Sequence, residues 1–388
     1  MQKFKLFYFL ITTAFVASSF VACDNSDDDD NSFEEKENAL KPAVTQYVNN
    51  TVIATYRSLA DASIKLYEAI AALKEPDGKT EANLNAAVDA WFSSRKYWEL
   101  SEAFLFGPVS DFDIDPHIDT WPLDEKALSD EMGNSGHIES MNAEDGDIWA
   151  AGTLGFSLLG FHGIEYVLFK DGSHKNLTDI QDKELIYIKA VAGDLRNQCV
   201  RLEAAWAGID NVSEDKQALI EEKELKILTS SSPISYSENM LTAGKAGSLY
   251  RTVTDAAVTI LEGCINISSE VGEIKIGNAH TKHDVNYIES PYSFNSKTDF
   301  ADNIRSIANA YLGGADENSG ASISNYIKSV NTQLDGKINA SIKNCIEKIG
   351  DIPSPFVQNY ESAEAGYAME ACDELTTLLT DARNELLK

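Results

Sequence analysis

The chain has 388 residues, with 62 Asp and Glu against 32 Lys and Arg and a formal net charge of −30. So acidic a protein repels phosphate, which excludes nucleic acid as a partner and favours cations over anionic substrates. Its length exceeds one ordinary hydrophobic core and favours two domains.

Residues 1–22 carry Lys3 and Lys5, then an apolar run from Leu6 to Val16, then small residues before Cys23, the layout of a secretory signal. Phe20-Val21-Ala22-Cys23 reads as a lipobox, with Cys23 as the lipidated first residue of a mature chain whose charge is near −32 once both lysines are lost. From Asp24 to Ser32 the sequence is too polar and too charged to bury apolar surface, so residues 23–36 are predicted to form a disordered acidic tether. The tether is either a solvated leash or an export signal to the cell surface. The expected location is the cell envelope, as an outer-membrane lipoprotein on the periplasmic or the exposed face.

Leu40, Val44, Tyr47, Val48, Val52, Tyr56, Leu59, Ser63, Leu66 and Ile70 recur at helical spacing, and the same period continues along the chain. The fold class is therefore all-α. Breakers fall at Glu75–Gly78, Gly107–Pro122, Asp171–Ser173, Gly208–Ser213 and Ser230–Pro233. We expect an N-terminal bundle over 37–208, a linker over 209–232 and a C-terminal bundle over 233–388.

After Thr80, the positions Leu84, Val88, Trp91, Arg95, Trp98 and Glu102 line one helix face. Arg95 and Glu102 thus point at a core, where a charge must be paired, hydrated or metal-bound. An interhelical ion pair would satisfy them as well as a metal would. Ile148–Phe169 is strongly apolar but includes Gly152, Gly155, Gly160, Gly163, His162 and Glu165, which predicts a buried helix rather than a membrane span. On it Gly155, Leu158, His162, Glu165 and Phe169 share a face. His162 and Glu165, three residues apart, can reach one cation or hydrogen-bond each other. The other histidines, His117, His137, His174, His280 and His283, fall mostly in predicted loops. Cys199, Cys264, Cys345 and Cys372 are scattered without metal or redox spacing, and their pairing is open.

Gly160-Phe161-His162-Gly163-Ile164-Glu165 matches the G-x-H-x-x-E signature of the imelysins, also called insulin-cleaving membrane proteases. Trp98-Glu99-Leu100-Ser101-Glu102-Ala103-Phe104-Leu105-Phe106-Gly107-Pro108 and Ile118-Asp119-Thr120-Trp121-Pro122 resemble further blocks of that family. So do Glu289-Ser290-Pro291-Tyr292-Ser293, Ser296 through Asp299-Phe300, Asn303-Ile304 and Tyr311-Leu312-Gly313. The resemblance spans about residues 40 to 385. It implies two helical-bundle lobes with the signature at a cleft between them, and a role in iron uptake or in peptide cleavage. Carried over by position, His162 and Glu165 are metal ligands, and Glu102 joins them from a matching block. We place Arg95, Ser101, Asp119, Trp121, Ser293 and Asp299 along the cleft.

No H-E-x-x-H or H-x-x-E-H is present, since Tyr166 follows Glu165, and catalytic zinc usually takes three protein ligands and a water. The leading expectation is a non-catalytic envelope lipoprotein that captures a metal ion, iron rather than zinc, or a metal-bearing ligand, with envelope transport proteins as partners. The alternatives are a metallopeptidase with Glu165 or Glu102 as base, and a surface interaction protein whose polar cluster is structural.

Overall fold

The computed structural model describes residues 26–230, 232–314 and 320–388, and the side chains of all of these but 26–30. The signal segment and Cys23 lie outside the described residues. The elements that position the site are α1 (Ser26–Gln46), α2 (Ile53–Lys74), α3 (Glu81–Glu99), α4 (Ile114–Asp119), α5 (Gly160–Leu168) and α6 (Asp182–Ala207). They continue with α7 (Glu214–Glu222), α8 (Val253–Glu270), α9 (Ser296–Leu312), α10 (Thr332–Asp351) and α11 (Ala363–Leu386). The strands among the described residues are a two-residue hairpin pair, Phe169–Lys170 with Ser173–His174. The fold is all-α, as the period of the apolar residues requires.

The helices form two packed groups. In the first, α2 lies between α3 and α6; in the second, α8 and α10 pack on α11, with α9 against both. The main apolar core runs without a break from one group into the other. Residues 37–46, expected in the N-terminal bundle, belong to α1, which packs on α8, where the Glu37 carboxylate accepts from the backbone N–H groups of Val253 and Thr254. Those are two of the unpaired donors at the start of α8, so α1 caps the opposite bundle.

Several expectations need correction. Residues 26–36, expected as tether, belong to α1: once Leu40, Ala43 and Val44 dock in the core, adding turns upstream costs little. Residues 209–232 are not a free linker, because α7 packs on α6 and Val212 and Ile220 join a small apolar cluster with Ala60, Val200 and Ala204. Ile148–Phe169 is not one helix. It breaks between Gly146–Thr153 and α5, since Leu159 is extended and Gly160 takes a φ of +69°, so Gly155 and Leu158 do not share the face of His162. Nor is His280 in a loop: it lies in the helix Gly277–Lys282, and its ring Nδ1 is 2.7 Å from the Tyr360 carbonyl. No helix among the described residues is long and apolar enough to cross a membrane. The four cysteines among the described residues are free and buried.

Thr80 caps α3 as its sequence position suggests, accepting from the Asn83 N–H. The helix stops at Glu99, so Glu102 stands in the 3-10 turn Glu102–Phe104 rather than on the helix face. That turn lies against α8 so closely that a Cβ on Gly263 would come 2.0 Å from the Ala103 carbonyl oxygen. Gly336, exposed on α10, has open space at the same position. Gly263→Ala is expected to destabilise the protein by about 1–3 kcal/mol. Gly336→Ala should stabilise it by roughly 0.4–1 kcal/mol through the unfolded chain. Thermal unfolding of the two variants checks the pair, and a neutral Gly263→Ala would refute the tight packing.

Candidate metal centre

The junction of the two helix groups is built around Arg95, whose side chain has no solvent exposure. Its Nη2 lies 2.6 Å from Glu99 Oε1, one turn along α3, and 2.5 Å from Glu289 Oε1. Its Nη1 pairs with Asp119 at the end of α4, and its Nε lies 3.4 Å from Asp299 Oδ2 on α9. The guanidinium also lies over the Phe161 ring, 5.3 Å from its centroid. Burial opposes the charge, but Asp119, Glu99, Asp299 and Glu289 outweigh it and hold Arg95 well above its ordinary value.

Asp119 is the pivot of the cluster. One of its oxygens accepts from Trp98 Nε1 at 2.7 Å, and the other lies 3.1 Å from His162 Nε2. Burial would raise its pKa, but Arg95 first and His162 second hold it far below the usual carboxylate range. The signature glycines explain why His162 stands there. A Cβ on Gly160 would fall 2.0 Å from the Ile118 carbonyl oxygen, so only glycine lets α5 start against the backbone beside Asp119. A Cβ on Gly163 would fall 2.3 Å from the Tyr187 hydroxyl, which donates to the Leu158 carbonyl at 2.6 Å.

Glu165 serves a different purpose from the one its spacing suggests. Its Oε1 accepts from the Tyr292 N–H at 3.1 Å, the Ser293 N–H at 2.8 Å and the Ser293 hydroxyl at 2.7 Å. Its Oε2 lies 3.2 Å from His162 Nδ1. Glu165 therefore ties the 290–293 segment of the second group to α5 and orients the imidazole, as carboxylates behind metal-bound histidines do. An acceptor carboxylate at Nδ1 assigns the proton to that nitrogen and turns Nε2 toward Asp119. Burial would lower the His162 pKa, but Asp119 and Glu165 carry it up to about 9.

Two groups of buried side chains, among the described residues, bring ligand atoms within 4.8 Å of one another: Asp119, His162 and Glu289, and Glu99, Glu102 and Asp119. Glu165 belongs to neither. Glu102 belongs to the second, while Glu99 and Glu289 were not singled out from sequence, although Glu99 follows Arg95 by one helical turn. His162 Nε2, Glu289 Oε2 and Glu99 Oε1 are buried without an aligned hydrogen bond, despite ionic neighbours. Lys275, also buried, supplies the second permanent positive charge, 3.1 Å from Glu289 Oε2. Burial pushes Glu99 and Glu102 well up, offset only in part by Arg95 and then Lys275 at Glu99 and by Lys275 at Glu102. Asp299 is likewise pushed up to about 7 by burial, against the pull of Arg95. Carboxylate oxygens with one imidazole and no thiolate form a hard donor set that fits iron or another first-row cation.

The other expected cleft residues are packed in this junction, where charges from the two helix groups pair, rather than displayed on an open wall. Ser101 is buried and donates to the Trp98 carbonyl at 2.6 Å. Ser293 is spent on Glu165, and Asp299 accepts from Ser290 and Asn295. Trp121 is half-buried, edge-on to Tyr287 at 5.6 Å. Asp115 and Glu270, missed in the sequence, add charge beside them. Asp115 is open to solvent, yet lost hydration, then Asp119 and Glu270, push it up to about 7.

His162 and Asp115 link stability to pH with the same sign. His162 is favoured in its protonated form by the fold, so its contribution is complete below its unfolded pKa and is lost as pH rises through about 9. Asp115 holds a proton in the folded state up to about 7, which the unfolded chain gives up earlier, so its ionisation also weakens the fold as pH rises. Thermal unfolding of the metal-free protein is expected at falling temperature from about pH 6 to 9.5, and Asp115→Asn should flatten the part near neutrality. A midpoint that rises over this interval would contradict the assignment.

Comparison with known proteins bears on the whole chain. The family model described as Imelysin matches residues 52–382. Iron-regulated protein A of Synechococcus elongatus (strain ATCC 33912 / PCC 7942 / FACHB-805) is 26% identical over 336 residues, covering 86% of this chain and 82% of that protein. The crystal structure of a chain from Parabacteroides distasonis ATCC 8503, named as an iron-regulated protein A precursor, superposes with a TM-score of 0.77 at 28% identity, over 90% of this chain and 95% of that one. An imelysin-like protein from Psychrobacter arcticum 273-4 shares the fold, with a TM-score of 0.57 at 15% identity over 93% and 95% of the two chains. With its signature helix, its paired helix groups and a family match over most of its length, this chain belongs to the imelysin family.

Proposed function

We propose that the protein is a non-catalytic, iron-related binding protein of the cell envelope, anchored through Cys23, that holds a metal ion, iron before zinc, in the buried cluster between its two helix groups. One observation carries this reading: six carboxylates with buried side chains, Glu99, Glu102, Asp119, Glu165, Glu289 and Asp299, surround the permanent cations Arg95 and Lys275, and three ligand atoms among them and His162 lack an aligned partner. Charge left uncompensated in a low-dielectric site is relieved by a proton or by a cation. Asp119, His162 and Glu289 are the residues that would hold the ion, with Glu165 fixing the ring. A hard cation there supplies positive charge; binding at neutral pH would expel the proton from His162 Nε2. The iron-regulated relatives are in keeping with this reading.

The peptidase alternative is less well supported. Both oxygens of Glu165 already accept from protein donors, which weakens it as a base, and Glu102 is drawn toward Lys275. A purely structural cluster is the other alternative, and the same experiment addresses it. Titration of purified protein with ferric and divalent ions should show one buried site, lost in His162→Ala and weakened roughly 10–100-fold in Glu165→Gln, with folding verified by circular dichroism. Absence of binding in the parent protein would refute the metal reading. Peptide hydrolysis abolished by chelation and by His162→Ala would replace it with the enzymatic one.

A further inference from the structure

A cation entering this cluster meets a side chain already committed to the same oxygens. Lys275 Nζ lies 3.1 Å from Glu289 Oε2, 3.7 Å from Glu102 Oε1 and 3.9 Å from Glu99 Oε2. Glu289 belongs to one candidate ligand group, and Glu99 and Glu102 to the other, so the ammonium touches members of both. Its hydrogen bonding is poor for a group with three donors: its one aligned contact among the described residues is to Glu289 Oε1 at 3.4 Å. Charge, not directed bonding, holds it in place.

The backbone beneath it is unusual too. Lys275 is carried on a π-helical turn, Val271–Ile276, between α8 and the helix Gly277–Lys282. Such turns insert a residue into a helix and commonly accompany functional sites. Here the turn directs a lysine into the junction while its neighbour Ile274 faces solvent.

We propose that Lys275 is a tethered cation that competes with the metal for Glu99, Glu102 and Glu289 and is displaced when the ion binds. The inference rests on the metal reading above and adds a residue that determines which ions bind. A monovalent ion brings no more charge than the ammonium it replaces, whereas a divalent or trivalent ion brings a surplus to carboxylates that one lysine leaves under-compensated. Lys275 thus sets a threshold of charge.

The test compares the full chain with Lys275→Met, Lys275→Arg and His162→Ala by calorimetric titration with Mn(II) and with Ga(III), a redox-silent trivalent probe, beside thermal unfolding without metal. Removing the competitor should tighten Mn(II) binding at least about tenfold in Lys275→Met, while Lys275→Arg, which keeps the charge, binds no more tightly than the parent. Metal-free Lys275→Met should also unfold at lower temperature, since its carboxylates lose their counter-ion, and Mn(II) should restore it. Equal or weaker binding in Lys275→Met, with the parent binding and His162→Ala not, overturns the competition and leaves the metal site standing. No binding in either parent or Lys275→Met overturns both. Binding in Lys275→Met alone supports the competition. Should that variant lack a cooperative transition without metal, its recovery on adding Mn(II) supports the proposal and failure to recover overturns it.

Discussion

Burial of the Arg95 guanidinium is the constraint from which the junction follows. A guanidinium does not give up its proton, and an unpaired one in the interior costs several kcal/mol. It therefore collects carboxylates from wherever the chain can deliver them: Glu99 from its own helix, Asp119 from α4, Glu289 and Asp299 from the second helix group. Because its donors point in fixed, coplanar directions, these partners also align the two groups. The continuous apolar core supplies the bulk of the cohesion, and the charged centre specifies how the halves meet.

Pairing overshoots neutrality. The carboxylates that satisfy Arg95 bring others with them, and Lys275 answers only part of the excess. The result is a site in which Asp119 is held ionised by Arg95 while Glu99 and Glu102 resist ionisation through burial. Burial disfavours the charged form of every one of these carboxylates, and only where a cation stands close enough does pairing outweigh it, as Arg95 does at Asp119. Glu165 stands outside this pairing. It stitches α5 to the 290–293 segment with three hydrogen bonds on one oxygen and keeps the other for His162.

Much of the architecture was legible one residue at a time. The helical period of apolar side chains located α2 and α3, Thr80 marked the start of α3, and Arg95 on the core-facing stripe announced a buried charge that needed partners. The G-x-H-x-x-E run pointed to His162, whose imidazole stands between Asp119 and Glu165. Each of the run's glycines answers one contact, Gly160 with the Ile118 carbonyl and Gly163 with the Tyr187 hydroxyl.

The sequence by itself determined the fold class, the family and the presence of buried charge, because those depend on periodicity and local motif, which a helix displays along its own length. Only the tertiary structure decided which carboxylates surround the charge. A three-residue spacing shows that His162 and Glu165 can share a ligand but not that Ser293 and Tyr292, some 127 residues away, take Glu165 first. Arg95 and Glu289 are 194 positions apart, and no period along the chain reports such a pair. Lys275, Asp115 and Glu270 entered the site for the same reason: helical spacing fixes which face of a helix is buried, while what stands opposite is settled by packing.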